Sequence, residues 1–353
     1  MYVLTLSLFF CLSFLSLTKK LNPKTERTLL ALCMIWLVLH DGLRWNTGTD
    51  WEPYLNMFSS LESSHAEAGY LFLLSIVRSI TSLYTIYLLI QAIFQYSVMY
   101  WVISRFSPRP LLSVAFFYFI SLPLLGMNRQ WICICILILS IRFILDRKFL
   151  PFIALVMLSM TFHLIGVIFV FAYFLPNLKL SSTTIIFFIL ISSLIGLSGI
   201  LNRYVSFTEA SLLSAVLQDK ALSPDSLRDF SFSYIGAFKR YLLIFLFYRY
   251  VYRSCYSKEN DLFFKMYFVG ALIYLTFGGS WLQIMVGRGA LAYSVSEIIL
   301  MPAMLINFKP KQLRILLFIA LFVIYTFVLY RDLHGYVEIA GEEVFFPYRS
   351  ILF

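Results

Sequence analysis

Three arginines stand where an arginine needs a reason. Arg129, Arg240 (directly after Lys239) and Arg288 (between Gly287 and Gly289) each fall where a polar segment meets the start of an apolar run. A cation at a helix N-terminus opposes the helix dipole. The conflict disappears if an anion binds there, because the free N–H groups and the guanidinium then attract it together. Arginine suits phosphate, since its planar fork meets two oxygens at once and stays charged. The competing reading is interfacial snorkelling, or pairing with carboxylates of nearby loops. A second cluster opens at Arg44 with the order R-W-N-T-G-T-D-W-x-x-Y. Gly48 permits a tight turn, Asp50 can accept hydrogen bonds from a hydroxylated ligand, and Trp45, Trp51 and Tyr54 offer flat faces to sugar rings. The same residues also fit an interfacial loop with its aromatic belt.

Two further residues carry titratable chemistry. Glu67 opens the segment Glu67-Ala68-Gly69-Tyr70, where an acid is favourable simply as a charge at a helix start. His163 lies within an apolar run. Its proton affinity near neutrality suits general-base work or donation to phosphate, although a histidine inside a helix also serves by hydrogen-bonding a neighbouring helix.

The elements that must position these residues are membrane helices. The chain of 353 residues is 61% hydrophobic and only 13% charged, with a mean hydropathy of +0.84. Apolar runs of roughly 17 to 25 residues, the length that crosses a hydrocarbon core, recur from end to end. Strand alternation is absent, which argues against a β-barrel. The expected fold is an all-α polytopic transmembrane bundle forming a single integral-membrane domain over 1–353. The net charge of +10 does not indicate nucleic acid, because the basic residues sit in short loops between apolar runs. No GxxxxGK[ST] or GxGxxG is present, which disfavours ATP-driven transport. Of the five cysteines, Cys133 and Cys135 are two apart and point in different directions on a helix, so neither a metal site nor a disulfide is expected. Residues 1–17 lack a basic n-region and a cleavage site, and are expected to remain as a span with the N-terminus outside.

The charge rule gives a path of about twelve crossings with both termini outside. Residues 1–17 run inward to Lys19 and Lys20, and 28–43 run outward to Arg44. The segment that follows, with Asp50, Glu52, Glu62 and Glu67, suits the outer side, and 67–80 reads as amphipathic and interfacial. Residues 83–104 return to Arg105 and Arg109, and 110–126 with 128–145 form a hairpin turning outside. Between 150 and 175 the apolar run looks like one helix. A single crossing there would place the basic segment 248–258 outside and the loop 201–236 inside, against the rule. A break near Thr161-Phe162-His163 makes two short helices and restores every later loop. Then 183–200 go out, 237–254 in, 262–280 out, 288–306 in and 312–330 out, leaving the tail with Glu338, Glu342 and Glu343 outside. A broken helix frees backbone groups that have to line a cavity.

The order of these residues resembles a known family. Arg44, Gly48, Asp50, Trp51 and Tyr54 (R-x-x-x-G-x-D-W-x-x-Y), Glu67 to Tyr70 (E-x-G-Y), Asn128 to Gln130 (N-R-Q), Phe162-His163, the late Arg288 and Pro347-Tyr348 look like the EpsG family of Wzy-type polysaccharide polymerases. One departure is that Leu164-Ile165-Gly166 follows the histidine, where the family often has serine or alanine. The resemblance implies polymerisation of O-antigen or exopolysaccharide repeats on an undecaprenyl diphosphate carrier, at the periplasmic face of a bacterial inner membrane. It needs no cofactor. It would engage the lipid-linked oligosaccharide, the bilayer, a chain-length regulator and a flippase. Asp50, Glu67 and His163 are the candidate bases, and Arg44, Tyr54, Arg129, Gln130, Arg240, Arg288 and Tyr348 the candidate substrate contacts. An O-antigen ligase or another lipid-linked-sugar transferase shares this donor chemistry. A flippase would instead need charges through the depth of a cavity, whereas here they concentrate at the outer ends.

Overall fold

The computed structural model describes all residues except 20, 62–65, 202–231, 281, 283–284, 341–343 and 353. Glu62, His65, Glu342, Glu343 and nearly all of the loop 201–236 therefore lie outside the described residues. Among the described residues the regular elements are helical, and an isolated β-bridge joins Arg44 to Ser350. In chain order the helices are α1 (Tyr2–Thr18), α2 (Pro23–Gly42), α3 (Trp51–Ser60), α4 (Ala68–Ile80), α5 (Tyr84–Phe106), α6 (Pro110–Ser121), α7 (Asn128–Leu145), α8 (Phe149–Met160), α9 (Ser182–Ser198), α10 (Tyr234–Phe247), α11 (Lys258–Phe277), α12 (Glu297–Asn307) and α13 (Lys311–Ala340). Three stretches, Tyr84–Phe106, Asn128–Leu145 and Lys311–Gly335, are long and apolar enough to cross a membrane, and seven further apolar helical stretches span 10–17 residues. Contacts divide the chain into two compact units, residues 1–167 with 297–353, and residues 168–296.

In the first unit, helix ends gather into two groups. Asn22 starts α2 by accepting the Lys24 N–H at 3.0 Å, and Pro23, which lacks an N–H, fits the first helical position. Beside it the Ser16 hydroxyl donates to Glu26 at 2.6 Å, Arg109 approaches the same carboxylate at 3.6 Å, and Lys311 donates to the Thr18 carbonyl at 2.8 Å. At the other end of α1 the Tyr2 hydroxyl donates to the Phe345 carbonyl at 3.0 Å, and Tyr348 donates to the carbonyl of His40 at the end of α2. There too the Thr49 N–H reaches the Leu125 carbonyl at 2.9 Å, just before α7. The two groups are those that the charge rule separates into inner and outer.

Helices α3 and α4 build an aromatic layer on the second group. Trp51, Tyr54, Phe58, Tyr70, Leu74, Val77, Tyr84 and Tyr87 pack with Ile132 and Ile136 of α7. On α4, Tyr70, Leu74 and Val77 recur at helical spacing and are buried, while Phe72, Ile76 and Ile80 are exposed, so the helix is apolar on both sides and lacks the polar face that an amphipathic helix would show. The chain reaches α8 at Gly69, whose N–H donates to the Thr161 carbonyl at 2.9 Å. A Cβ on Gly69 would lie 2.8 Å from that oxygen.

The expected break is present at Thr161-Phe162-His163. Helix α8 ends at Met160, and the Ser159 carbonyl accepts the N–H of both Phe162 and His163 at 3.1 and 3.0 Å. The second half departs from expectation: Leu164–Asn177 is a 3₁₀ helix, rising about 2.0 Å per residue, not an α-helix.

In the second unit α9, α10 and α11 each start on a serine. The hydroxyls of Ser181, Ser233 and Ser257 accept the N–H of Thr184, Gly236 and Asn260 at 3.1, 3.2 and 3.0 Å. Gly196 of α9 packs directly on the Leu275 backbone of α11. In α11, Lys265 is buried against Asp261 at 2.7 Å, an i,i+4 pair that leaves neither charge alone in the apolar interior. Two expectations are corrected here. Helix α10 begins at Tyr234, so Arg240 lies in its second turn and not at its start. The expected inward helix 288–306 is broken into a π-helical turn Met285–Gly289, a single α-turn Leu291–Ser294, and α12. Arg288 thus sits in a π-helical turn.

Replacing Gly69 with valine places branched carbons against Thr161 and weakens the Gly69–Thr161 bond. Overpacking of this kind costs about 1–3 kcal/mol. The expected outcome is a lower Tm of the detergent-purified Gly69→Val protein, with unchanged membrane insertion, read from thermal unfolding and fractionation.

Candidate active site

The site grows from Arg44, which follows α2 and is only 4% exposed. Its guanidinium donates to the Asp41 carbonyl at 2.7 Å and to Asn128 Oδ1 at 3.1 Å, and it lies 5.9 Å from the Trp51 ring. Asn128, the first residue of α7, also accepts from Gln91 Nε2 at 3.3 Å and donates to the Tyr84 hydroxyl at 3.0 Å. The Asp41 carboxylate in turn takes His40 Nδ1 at 2.7 Å and the Tyr96 hydroxyl. A polar cavity of about 10 Å³, roughly the space of one water, lies among Asp41, Arg44, Gln91 and Asn128. This network ties α2, α5 and α7 together.

The next residue on α7 faces a different cluster. Arg129 donates from Nη1 to Glu67 Oε2 at 2.7 Å and from Nε to the Tyr54 hydroxyl at 3.2 Å, and its guanidinium lies 5.8 Å from the Tyr54 ring. Both side chains of the ion pair are 17% exposed, so the pair is sheltered without being sealed. The other oxygen of Glu67 accepts the Leu164 N–H at 3.3 Å, which brings the break after α8 to the same carboxylate. Glu67 precedes α4 but makes no side-chain cap bond. Its carboxylate therefore serves a tertiary ion pair, and the reading of a mere capping charge does not describe it. Burial raises the pKa of Tyr54, while Arg129 beside it lowers it and Asp50 raises it.

His163 is half-buried in the break; its Nδ1 accepts the Ile165 N–H at 3.3 Å, and its carbonyl accepts the Gly166 N–H at 3.0 Å. Asp50, half-buried, stands immediately before α3. Gln130 is buried next to Arg129 on α7. Tyr348 is a tail anchor: its hydroxyl binds the His40 carbonyl, its ring lies 4.8 Å from His40 and 5.5 Å from Tyr2, and burial raises its pKa. The first unit thus brings together Arg44, Asp50, Tyr54, Glu67, Arg129 and the segment bearing His163. Arg240 and Arg288 belong to the second unit. There Arg240 turns back to the Gly236 carbonyl at 2.9 Å and stacks 3.3 Å from the Tyr274 ring centroid, so it is held as a cation–π pair.

Sequence reasoning passed over Asp41, Gln91 and Arg349. A carboxylate one residue before the end of an apolar helix was the available signal for Asp41, since an intramembrane acid marks a partner or a site. Gln91 and Arg349 carry no such pattern.

The EpsG family model matches residues 26–350, nearly the whole chain. No curated protein and no solved structure matches.

Asn128 supplies acceptors and a donor to three buried groups at once. Asn128→Ala leaves Arg44 and Gln91 short of an acceptor, at about 1–3 kcal/mol for each stranded group. A clear fall in Tm of the purified protein is expected, larger than that for an alanine at the exposed Lys148.

Proposed function

The chain belongs to the EpsG family, a Wzy-like polymerase family, and from that premise we propose that it polymerises a surface polysaccharide from repeats carried on undecaprenyl diphosphate. It would lie in the bacterial inner membrane, cross it about twelve times by the charge rule, and work at the periplasmic face. The observation that carries the reading is the Arg129–Glu67–Tyr54 cluster on the outer helix ends, joined through Leu164 to the break that bears His163.

The reaction is a glycosyl transfer. A hydroxyl of the incoming lipid-linked repeat attacks the anomeric carbon of the donor; the new C–O bond forms as the bond to the lipid diphosphate breaks, and the hydroxyl proton passes to a base. Glu67 and His163 flank the Leu164 N–H contact and are the first candidates for that base, with Asp50 near Tyr54. A diphosphate leaves readily once its charge is matched, so arginines can replace a metal and a general acid is dispensable. Arg129 would supply this charge in the first unit. Arg44 and Tyr348 would position the site from behind. A ligase or flippase of the same lipid-linked glycan is the alternative that the test below separates.

A deletion strain reads the function directly. Loss of a polymerase leaves single repeats capped on lipid A, loss of a ligase leaves none, and loss of a flippase stalls repeats inside. Complementation with Arg129→Ala should leave single repeats, a loss of at least about 10²-fold in polymer as for other preorganised charge contacts. Arg129→Lys should restore only part, because the two-oxygen fork is gone. Full-length polymer from Arg129→Ala would refute the assignment. Purified protein should keep most activity in excess chelator; complete loss restored by Mg²⁺ would instead place a cation at the acidic residues.

A further inference from the structure

A pocket of about 450 Å³ opens between the loop before α3 and the C-terminal segment 344–349. Its lining shares no residue with the Arg129–Glu67–Tyr54 cluster and includes Asn46, Thr49, Trp51, Glu52, Phe346 and Arg349. The volume falls within the roughly 300–1,000 Å³ range of small-molecule sites.

The pocket is built by backbone pairing and does not depend on a ligand to bring its walls together. The Trp45 N–H donates to the Arg349 carbonyl at 3.0 Å, the Gly48 N–H to the Val344 carbonyl at 2.8 Å, and the Arg349 N–H to Thr47 Oγ1 at 3.2 Å. Gly48 has φ +111°, and a Cβ there would lie 2.6 Å from the Leu125 carbonyl. Only glycine lets this loop pass so close to the chain that enters α7. Tyr348 pins the other wall to α2.

The chemistry of the walls is that of a sugar site. The half-buried Phe346 and the edge of the otherwise buried Trp51 are in the lining, and the exposed Trp45 meets Trp51 edge-on at 5.5 Å. Rings of this kind accept the C–H faces of pyranoses, while Asn46 and Thr49 offer a donor and acceptors to hydroxyls. Arg349 and Glu52 are exposed, and among the described residues neither side chain makes a hydrogen bond or an ion pair within the protein. Among the described lining residues one cation and one anion balance, and Glu52 repels a diphosphate. A neutral glycan matches these walls better than its anionic anchor does. The Thr49 N–H bond to Leu125 joins the pocket wall to the segment leading into α7, four residues before Arg129.

We propose that this pocket is an oligosaccharide subsite, holding pyranose residues of the growing glycan remote from the reacting bond. The inference rests on the polymerase reading and adds where the sugars beyond the reacting one are held. Full-length protein in nanodiscs, titrated with phosphate-free oligosaccharide fragments of the producing strain's own surface polysaccharide, tests it by calorimetry. Arg349→Ala and Glu52→Gln should each lower fragment affinity at least tenfold and shorten the polymer made from lipid-linked repeats. Inorganic diphosphate should not displace the fragments. Absence of fragment binding by the wild type, or unchanged affinity in both variants, overturns the subsite. Displacement by diphosphate overturns it too, by reassigning the pocket to the anchor. Wild-type protein that binds fragments but never elongates lipid-linked repeats would overturn the polymerase reading and leave the sugar site standing. Both altered side chains are exposed, and Arg349→Lys, which keeps the charge, controls for folding by retaining the wild-type Tm.

Discussion

A guanidinium shut away from water has to find its acceptors inside the protein, because an unpartnered buried charge is expensive. Arg44 is in that position, and the acceptors it finds organise much of the first unit. One is the Asp41 carbonyl on its own helix, the other the Asn128 amide at the head of α7. Asn128 is held by Gln91 and Tyr84 as well, so the first turn of α7 is oriented from several sides. Arg129 comes next in the chain, and where it points follows from how Asn128 is fixed. The backbone of Arg44 meanwhile bridges to Ser350, so the same residue also anchors the C-terminal segment.

Glu67 shows how the outer layer is closed on this frame. Its carboxylate spans Arg129 on one side and the Leu164 N–H on the other. That N–H belongs to the chain just past the end of α8, where the backbone leaves regular hydrogen bonding and needs partners. A broken helix, an acid and a cation thus satisfy one another, and each would be costly alone. The arrangement is sheltered by the aromatic layer of α3 and α4, whose packing depends on the close passage at Gly69. An ion pair that is partly exposed can exchange its partner for a ligand more readily than a sealed one, since the desolvation penalty is only partly incurred in the free protein.

The second unit handles its charges differently. Lys265 and Asp261 neutralise each other within one helix, and Arg240 spends its guanidinium on an aromatic face. Arg288 lies in a π-helical turn, a geometry that leaves backbone groups out of the regular ladder and recurs at functional positions.

The sequence by itself determined the apolar character of this protein, its helical class and the break at Thr161-Phe162-His163. Hydropathy and charge are local properties, and a bilayer crossing asks for roughly 17 to 25 predominantly apolar residues in a helix. Even the break at Thr161-Phe162-His163 was legible, because parity turns a distant basic loop into a constraint on a nearby apolar run. The motif order from Arg44 to Tyr348 likewise pointed to the family. Only the tertiary structure decided which side chains meet. Nothing in the spacing of Glu67, Arg129 and Leu164 says that they share one carboxylate, since the contacts join residues 62 and 97 positions apart. Nor could periodicity distinguish a 3₁₀ from an α-helix at 164–177, or reveal that Arg240 lies a turn inside its helix. Those outcomes depend on packing against neighbours, which hydropathy does not encode. Arg349 is the clearest case, an unremarkable basic residue in the sequence that bonds from its backbone to the Trp45 N–H and the Thr47 hydroxyl place in the wall of a pocket.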